Sequence, residues 1–181
     1  MKRYKRGMVL GKFYPFHLGH KYLIDKAIEN CDEVVVYACS ISTETIGPSP
    51  RFESIKKTYR KNKSVNIIHI TEDLPQEPNE HPDFWNIWKR VVYNNLPESK
   101  NKLEVIFGSE DYIIPFSQVL EIEGVILDKE RKNVPISGTL VRSNFIKNWK
   151  YLPFYTKLGI IKDIYDHWNN RNWVRRKNHI G

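Results

Sequence analysis

The sequence predicts an α/β fold: a Rossmann-like parallel sheet with helices on both faces and a helical C-terminal segment. Three observations carry this. Short Val- and Ile-rich runs recur along the chain. Segments with helical apolar spacing fall between them. Glycine-bearing or charged loops follow the runs, where a parallel sheet would gather them along one edge.

Five runs read as strands: Met8 to Leu10, Val34 to Ala38, Val65 to Ile70, Leu103 to Phe107 and Gly124 to Leu127. Each is short, apolar and bounded by polar residues or glycine, as buried strands are. Helices are expected over His20–Asn30, Arg51–Asn62 and Phe84–Asn95. In the first, Leu23, Ile24, Ala27 and Ile28 form one apolar stripe. Ser40–Pro50 and Thr71–Pro82 carry prolines and polar residues and read as long loops, which are uncommon unless functional. From about Leu152 the apolar residues Ile160, Ile161, Ile164, Tyr165 and Trp168 return at helical spacing. Nothing resembles a linker, so residues 1–181 are expected to form a single domain.

With 40% hydrophobic and 28% charged residues, the chain has the make-up of an ordinary globular protein. No run is long and apolar enough to span a membrane, and MKRYKRG leads into a strand. A cytoplasmic protein with no membrane partner is expected. The net charge of +8 favours anionic partners. Much of it sits in MKRYKR and in Arg171, Arg175, Arg176 and Lys177, which read as solvated tails. No recognised nucleic-acid motif is present, so nucleic acid is not the expected partner. Cys31 and Cys39 lack metal-type spacing and are expected as buried free thiols, with a disulfide second.

Two stretches carry chemistry. In GKFYPFHLGH, Gly11 permits close backbone approach, Pro15 fixes a turn, and Gly19 keeps a side chain away from the start of the first helix. His17 and His20 are three apart, near the helix end where free N–H groups favour an anion. The simpler alternative is a helix capped by His17 with His20 merely packed. A zinc site lacks a third ligand. In VPISGTLVRSNF, Ser137, Gly138 and Thr139 read as a helix N-terminus, and Arg142 projects from the same turn. A hydroxyl, a guanidinium and backbone N–H groups would converge there on one anion.

Together these stretches resemble the GxFxPxHxGH and ISxTxxR motifs of nucleotidylyltransferases. IFGSEDY, VILDKERKNVPISGTLVR and NWKYLP narrow the resemblance to NadR-type nicotinamide-nucleotide adenylyltransferases, over about Gly7 to Pro153. NadR-type proteins often continue into a ribosylnicotinamide kinase domain. This sequence holds no GxxxxGK[ST] loop, so the resemblance extends to the adenylyltransferase part. RSNF, where many relatives place a proline, is expected to alter only a local helix.

The resemblance implies adenylyl transfer from ATP to nicotinamide mononucleotide, giving NAD and pyrophosphate. It implies that His17, His20 and Arg142 act catalytically and that Gly11, Lys12, Phe13, Gly19, Gly108, Ser109, Ser137 and Thr139 line the ATP site. Trp88, then Trp85, would stack on the nicotinamide ring, with Arg51 at a phosphate; core packing is the simpler role for each tryptophan, and an exposed helix-start position the simpler one for Arg51. Mg²⁺ would be held mainly through ATP phosphates, with no protein metal site. A homo-oligomer is compatible with the family. The rivals are another acceptor, such as nicotinate mononucleotide or phosphopantetheine; a cytidylyltransferase; an NAD-binding regulator without catalysis; and a basic nucleic-acid-binding protein using the terminal clusters and Trp168 and Trp173.

Overall fold

In the computed structural model, which describes residues 2–47 and 49–177 with side chains to residue 169, five strands form one wholly parallel sheet. They are β1 (Tyr4–Gly11), β2 (Cys31–Cys39), β3 (Val65–Ile70), β4 (Val105–Gly108) and β5 (Glu123–Ile126). Their order across the sheet is β3–β2–β1–β4–β5. The chain builds outward from β1 to β3, then returns to the other side of β1. That reversal opens a crevice beyond the carboxyl ends of β1 and β4.

Alternation along the strands explains why both faces are covered. Val9, Val34, Val36 and Phe107 point to one face and pack with Leu23, Ile24 and Ala27 of α1 (Leu18–Asn30) and Ile55 of α2 (Ser54–Tyr59). Met8, Val35, Tyr37 and Ile106 point to the other, against Trp88 and Val92 of α3 (Phe84–Asn94) and Phe116 and Leu120 of α4 (Ile113–Leu120). A smaller cluster of Ile136, Val141 and Leu152 joins α5 (Gly138–Ser143) to Ile160 of the terminal α7 (Phe154–Lys177). The short α6 (Phe145–Asn148) links them. Asn144 is extended and caps α6 through its side chain, so RSNF does interrupt the helix locally.

Several expectations need correction. MKRYKR is not a solvated tail: β1 begins at Tyr4, Arg6 is buried, Arg3 pairs with Glu123 at 2.8 Å and Lys5 with Asp32 at 3.0 Å. The later cluster, Arg171, Arg175, Arg176 and Lys177, and Trp173 have side chains outside the described residues. The helix expected from Arg51 breaks: Arg51 has φ −117° and ψ −105°, in a π-type turn over Ser49–Glu53, and α2 starts at Ser54. α4 was not expected at all. Strand β4 runs to Gly108, past the expected end at Phe107. Both cysteines are free and buried, and burial pushes each thiol up to about 12. Among the described residues no helix is long and apolar enough to cross a membrane.

Candidate nucleotide-binding cleft

A cleft of about 1010 Å³ lies at the topological reversal. Its walls include Gly11, Lys12, Phe13, His17, Gly19 and His20 from the β1–α1 connection, and Gly108 and Ser109 from the end of β4. Ser137, Thr139 and Arg142 from α5, and Trp85 and Trp88 from α3, complete it. Of the candidate site residues, only Arg51 is absent from these walls.

His17 is extended, precedes α1 and caps it. Its Nδ1 accepts from the His20 N–H at 3.3 Å, while His20 Nδ1 accepts from the His17 N–H at 3.4 Å. The capping role set against a functional one in the sequence is therefore real, and it does not remove the ring from the cleft. Each Nδ1 that accepts must be unprotonated, which puts the proton of each neutral ring on Nε2. The rings stack at 3.6 Å between centroids, and the His20 ring meets Phe13 edge-on at 4.9 Å. Burial, then the charges of Arg131 and Arg142, lowers His17 to about 3. Burial, followed by His17 and Arg131, holds His20 well below its ordinary value, against the pull of the Pro15 carbonyl. His20 keeps a minor part of its surface open to the cleft, but its ring is crowded by aromatic neighbours, and desolvation dominates. Glycine at position 19 leaves the His17 ring undisturbed, since a Cβ there would stand 3.1 Å from it and press the ring aside.

Across the cleft, Ser137 caps α5 by accepting from the Leu140 N–H at 3.1 Å. Arg142 donates to the Tyr14 carbonyl at 2.6 Å and to Thr139 Oγ1 at 3.2 Å. Those bonds tie α5 to the β1–α1 connection and fix the guanidinium plane, leaving its other N–H groups free to donate. A Cβ on Gly138 would lie 2.9 Å from the Tyr14 carbonyl, so glycine permits this approach.

Arg51 is 3% exposed and holds structure. It donates to the Lys12 carbonyl at 2.8 and 3.1 Å and to the Cys39 carbonyl at 2.6 Å, and pairs with Glu44 at 2.6 Å. It clamps the ends of β1 and β2 together, so the expectation that it touches a substrate phosphate does not fit its placement. Lys12 is exposed, its Nζ 3.9 Å from Glu44.

The sequence reading missed Arg131 and Glu44, both on the cleft wall. Arg131 has φ 54° in a loop organised by Asp128, whose carboxylate accepts from the backbone N–H of Asn133 at 2.9 Å and of Val134 at 3.0 Å. Desolvation would raise the Asp128 carboxyl, but these N–H groups outweigh it and hold it below its usual value. The available signal for Arg131 was a charged loop running directly into SGT. For Glu44 it was a lone charge between Ser40 and Pro50.

The fourth wall is aromatic. Trp88 is buried, its indole N–H donating to the Pro75 carbonyl at 3.0 Å. Trp85 is less buried and stacks on Phe116 at 5.8 Å. Both tryptophans belong to the core packing and also present surface to the cleft. Among the described residues no group of three His, Cys, Asp or Glu side chains is placed to hold a metal ion.

Comparison with known proteins finds chains similar in sequence and in fold. A family model for the citrate lyase ligase C-terminal domain matches residues 7–76, which include the histidine loop. The trifunctional NAD biosynthesis/regulator protein NadR of Escherichia coli is 28% identical over 171 residues, covering 87% of this chain and 41% of that protein. The chain thus spans about two-fifths of the length of that relative. The nicotinamide-nucleotide adenylyltransferase of Methanosarcina barkeri is 26% identical, covering 88% of each chain. A solved structure of NadR protein in complex with NR superposes with a TM-score of 0.62 at 20% identity, over 83% of this chain and 44% of that one. The fold is an α/β fold with one parallel sheet, and it is shared with a solved bifunctional NMN adenylyltransferase/ADP ribose pyrophosphatase from Francisella tularensis at a TM-score of 0.60 and 17% identity, over 95% of this chain and 57% of that one. In sequence the chain is similar to NadR and to archaeal nicotinamide-nucleotide adenylyltransferases.

Proposed function

We propose that this chain transfers the adenylyl group of ATP to nicotinamide mononucleotide, releasing pyrophosphate and forming NAD. The observation that carries the proposal is the convergence of the stacked His17–His20 pair and the Thr139–Arg142 unit on one cleft, in a chain related to enzymes named for that reaction.

The 5′-phosphate of the mononucleotide attacks the α-phosphorus of ATP in line. The bond from that phosphorus to the bridging oxygen breaks, and pyrophosphate carries the electrons away. The attacking phosphate is already ionised near neutral pH, so no strong base is required. Alignment and stabilisation of charge do the work. His20 and His17 donate from Nε2 to the α- and β-phosphate oxygens as charge builds there. Arg142, Ser137 and Thr139 hold the β- and γ-phosphates, joined by Lys12. Gly11, Phe13 and Gly19 shape the loop under the phosphates, and Gly108 and Ser109 line the nucleoside end. Trp88 and Trp85 offer indole faces to the cationic pyridinium ring, an attraction of about 0.5–2 kcal/mol.

A divalent cation, Mg²⁺ in the simplest case, would ride on the ATP oxygens and water. The cleft residues suit that arrangement, because Glu110 and Asp111 at its mouth lie beside Arg131 (3.7 Å) and Lys129 (2.5 Å). When bound, the cation would neutralise charge on the triphosphate.

The test is a steady-state acceptor panel with ATP or CTP and Mg²⁺. Nicotinamide mononucleotide with ATP is expected to give the highest kcat/KM. Preference for nicotinate mononucleotide would move the acceptor to the acid form. Turnover of phosphopantetheine, with none of either mononucleotide, would overturn the proposal.

A further inference from the structure

The outer face of α7 serves no purpose in the nucleotide cleft. Phe154, Leu158, Ile161, Tyr165 and Trp168 are 67, 46, 54, 61 and 63% exposed. Their spacing is four, three, four and three. At about 100° per residue this places them in a stripe roughly 80° wide and ~21 Å long. A strict heptad spacing of this kind is the seam of a coiled coil, narrower than the apolar face of a core helix.

The opposite face of α7 is already occupied. Thr156 is fully buried, and Ile160 packs on the Ile136 cluster. A Cβ on Gly159 would lie 2.7 Å from the Ser49–Pro50 backbone, so the helix sits directly on that turn. Asp163 faces the loop before it, accepting from the Gly47 N–H and from Ser49. These contacts fix the helix rotation and leave the stripe turned outward, with Ile164 beside it at 64% exposure.

We propose that this stripe pairs α7 with α7 of a second copy of the chain, forming a two-fold symmetric dimer. Three aromatics about two-thirds exposed and three aliphatics about half exposed offer roughly 700 Å² of apolar surface. That is close to the ~800 Å² per partner of a standard interface, and larger than the isolated apolar patches ordinary monomers tolerate. One stripe on one helix is self-complementary under a two-fold axis, so no second patch is required. Beside the stripe Lys162 pairs with Asp166 at 2.7 Å and Lys157 stands on the other flank, a mixed rim suited to protein rather than to an anionic lipid surface.

Sedimentation velocity across a dilution series tests this. The protein is expected to sediment at twice its 21.5 kDa chain mass. The double variant Ile161→Asp/Trp168→Asp is expected to sediment as a monomer with native circular dichroism. Hydrogen exchange on the unsubstituted protein gives a measure that does not depend on how the variant folds. Protection over residues 154–169 should rise with concentration. A wild-type monomer at every concentration overturns the proposal, including one that instead floats with anionic vesicles. A dimer that survives the double substitution, or exchange independent of concentration, overturns it equally.

Discussion

The two halves of the cleft are built in opposite ways. The phosphate half consists of polar groups fixed by local hydrogen bonds: His17 and His20 cap each other across one helical turn, and Arg142 is held by Thr139 and the Tyr14 carbonyl. The aromatic half is held by packing between distant elements, Trp85 on Phe116 and Trp88 against the sheet. Under the proposed function the first half would stabilise charge that develops during the reaction, and the second would hold a ring that binds and leaves unchanged. Substitutions should therefore separate the two, lowering kcat on one side and raising acceptor KM on the other.

The sharpest break should come from His20→Ala. Removing one transition-state donor typically lowers the rate by about 10²–10³. Turnover should fall on that scale with circular dichroism unchanged and the KM for the mononucleotide nearly constant.

Arg51→Met should act on the frame beneath the phosphate half instead. It removes the nearest charged partner of the buried Glu44 carboxylate, leaving the Ile41 N–H at 3.2 Å and Lys12 at 3.9 Å, and losing one member of a buried pair lowers stability by up to about 3–5 kcal/mol. Urea unfolding should show that loss, whereas Arg142→Met should lose activity with little change in the unfolding midpoint.

On the aromatic side, Trp85→Ala should raise the KM for nicotinamide mononucleotide about tenfold, the scale of one desolvated cation–π contact. The KM for ATP should stay nearly fixed. An equal rise for both substrates would show that the two halves are not separable.

The contrast between the halves also explains what could be read from the sequence. GKFYPFHLGH and ISGTLVR are legible because each places its donors within one turn, where residue spacing alone sets geometry. The five strands are legible from their Val and Ile runs. α4 was not, because IIPFSQVL is apolar on nearly every side and Pro115, tolerated in a first helical turn, resembles a breaker. Arg131 was hidden because its position depends on the loop that Asp128 folds. Arg51 reads in sequence as a phosphate contact or an exposed helix-start arginine, because sequence cannot show the carbonyls of Lys12 and Cys39 converging on its guanidinium.

The smallest expected effect is on the pH profile. His17 titrates at about 3 in the folded protein, against 6.5 unperturbed, so it is neutral throughout the neutral range. No imidazole ionisation near 6.5 should appear in kcat/KM. A folded value below the unfolded one means that its contribution to stability is complete above 6.5 and declines as pH falls from there toward 3. Thermal melts should therefore lose midpoint on acidification through that window, and less so in His17→Asn.

The most direct test of this account is nitrogen-15 NMR of the histidine rings in the free protein and with each substrate. At pH 6.5 both His17 and His20 should appear as neutral rings protonated at Nε2, and their signals should move when ATP is added but not with nicotinamide mononucleotide alone. Rings that titrate near 6.5 in the free protein, or signals indifferent to ATP, would contradict it.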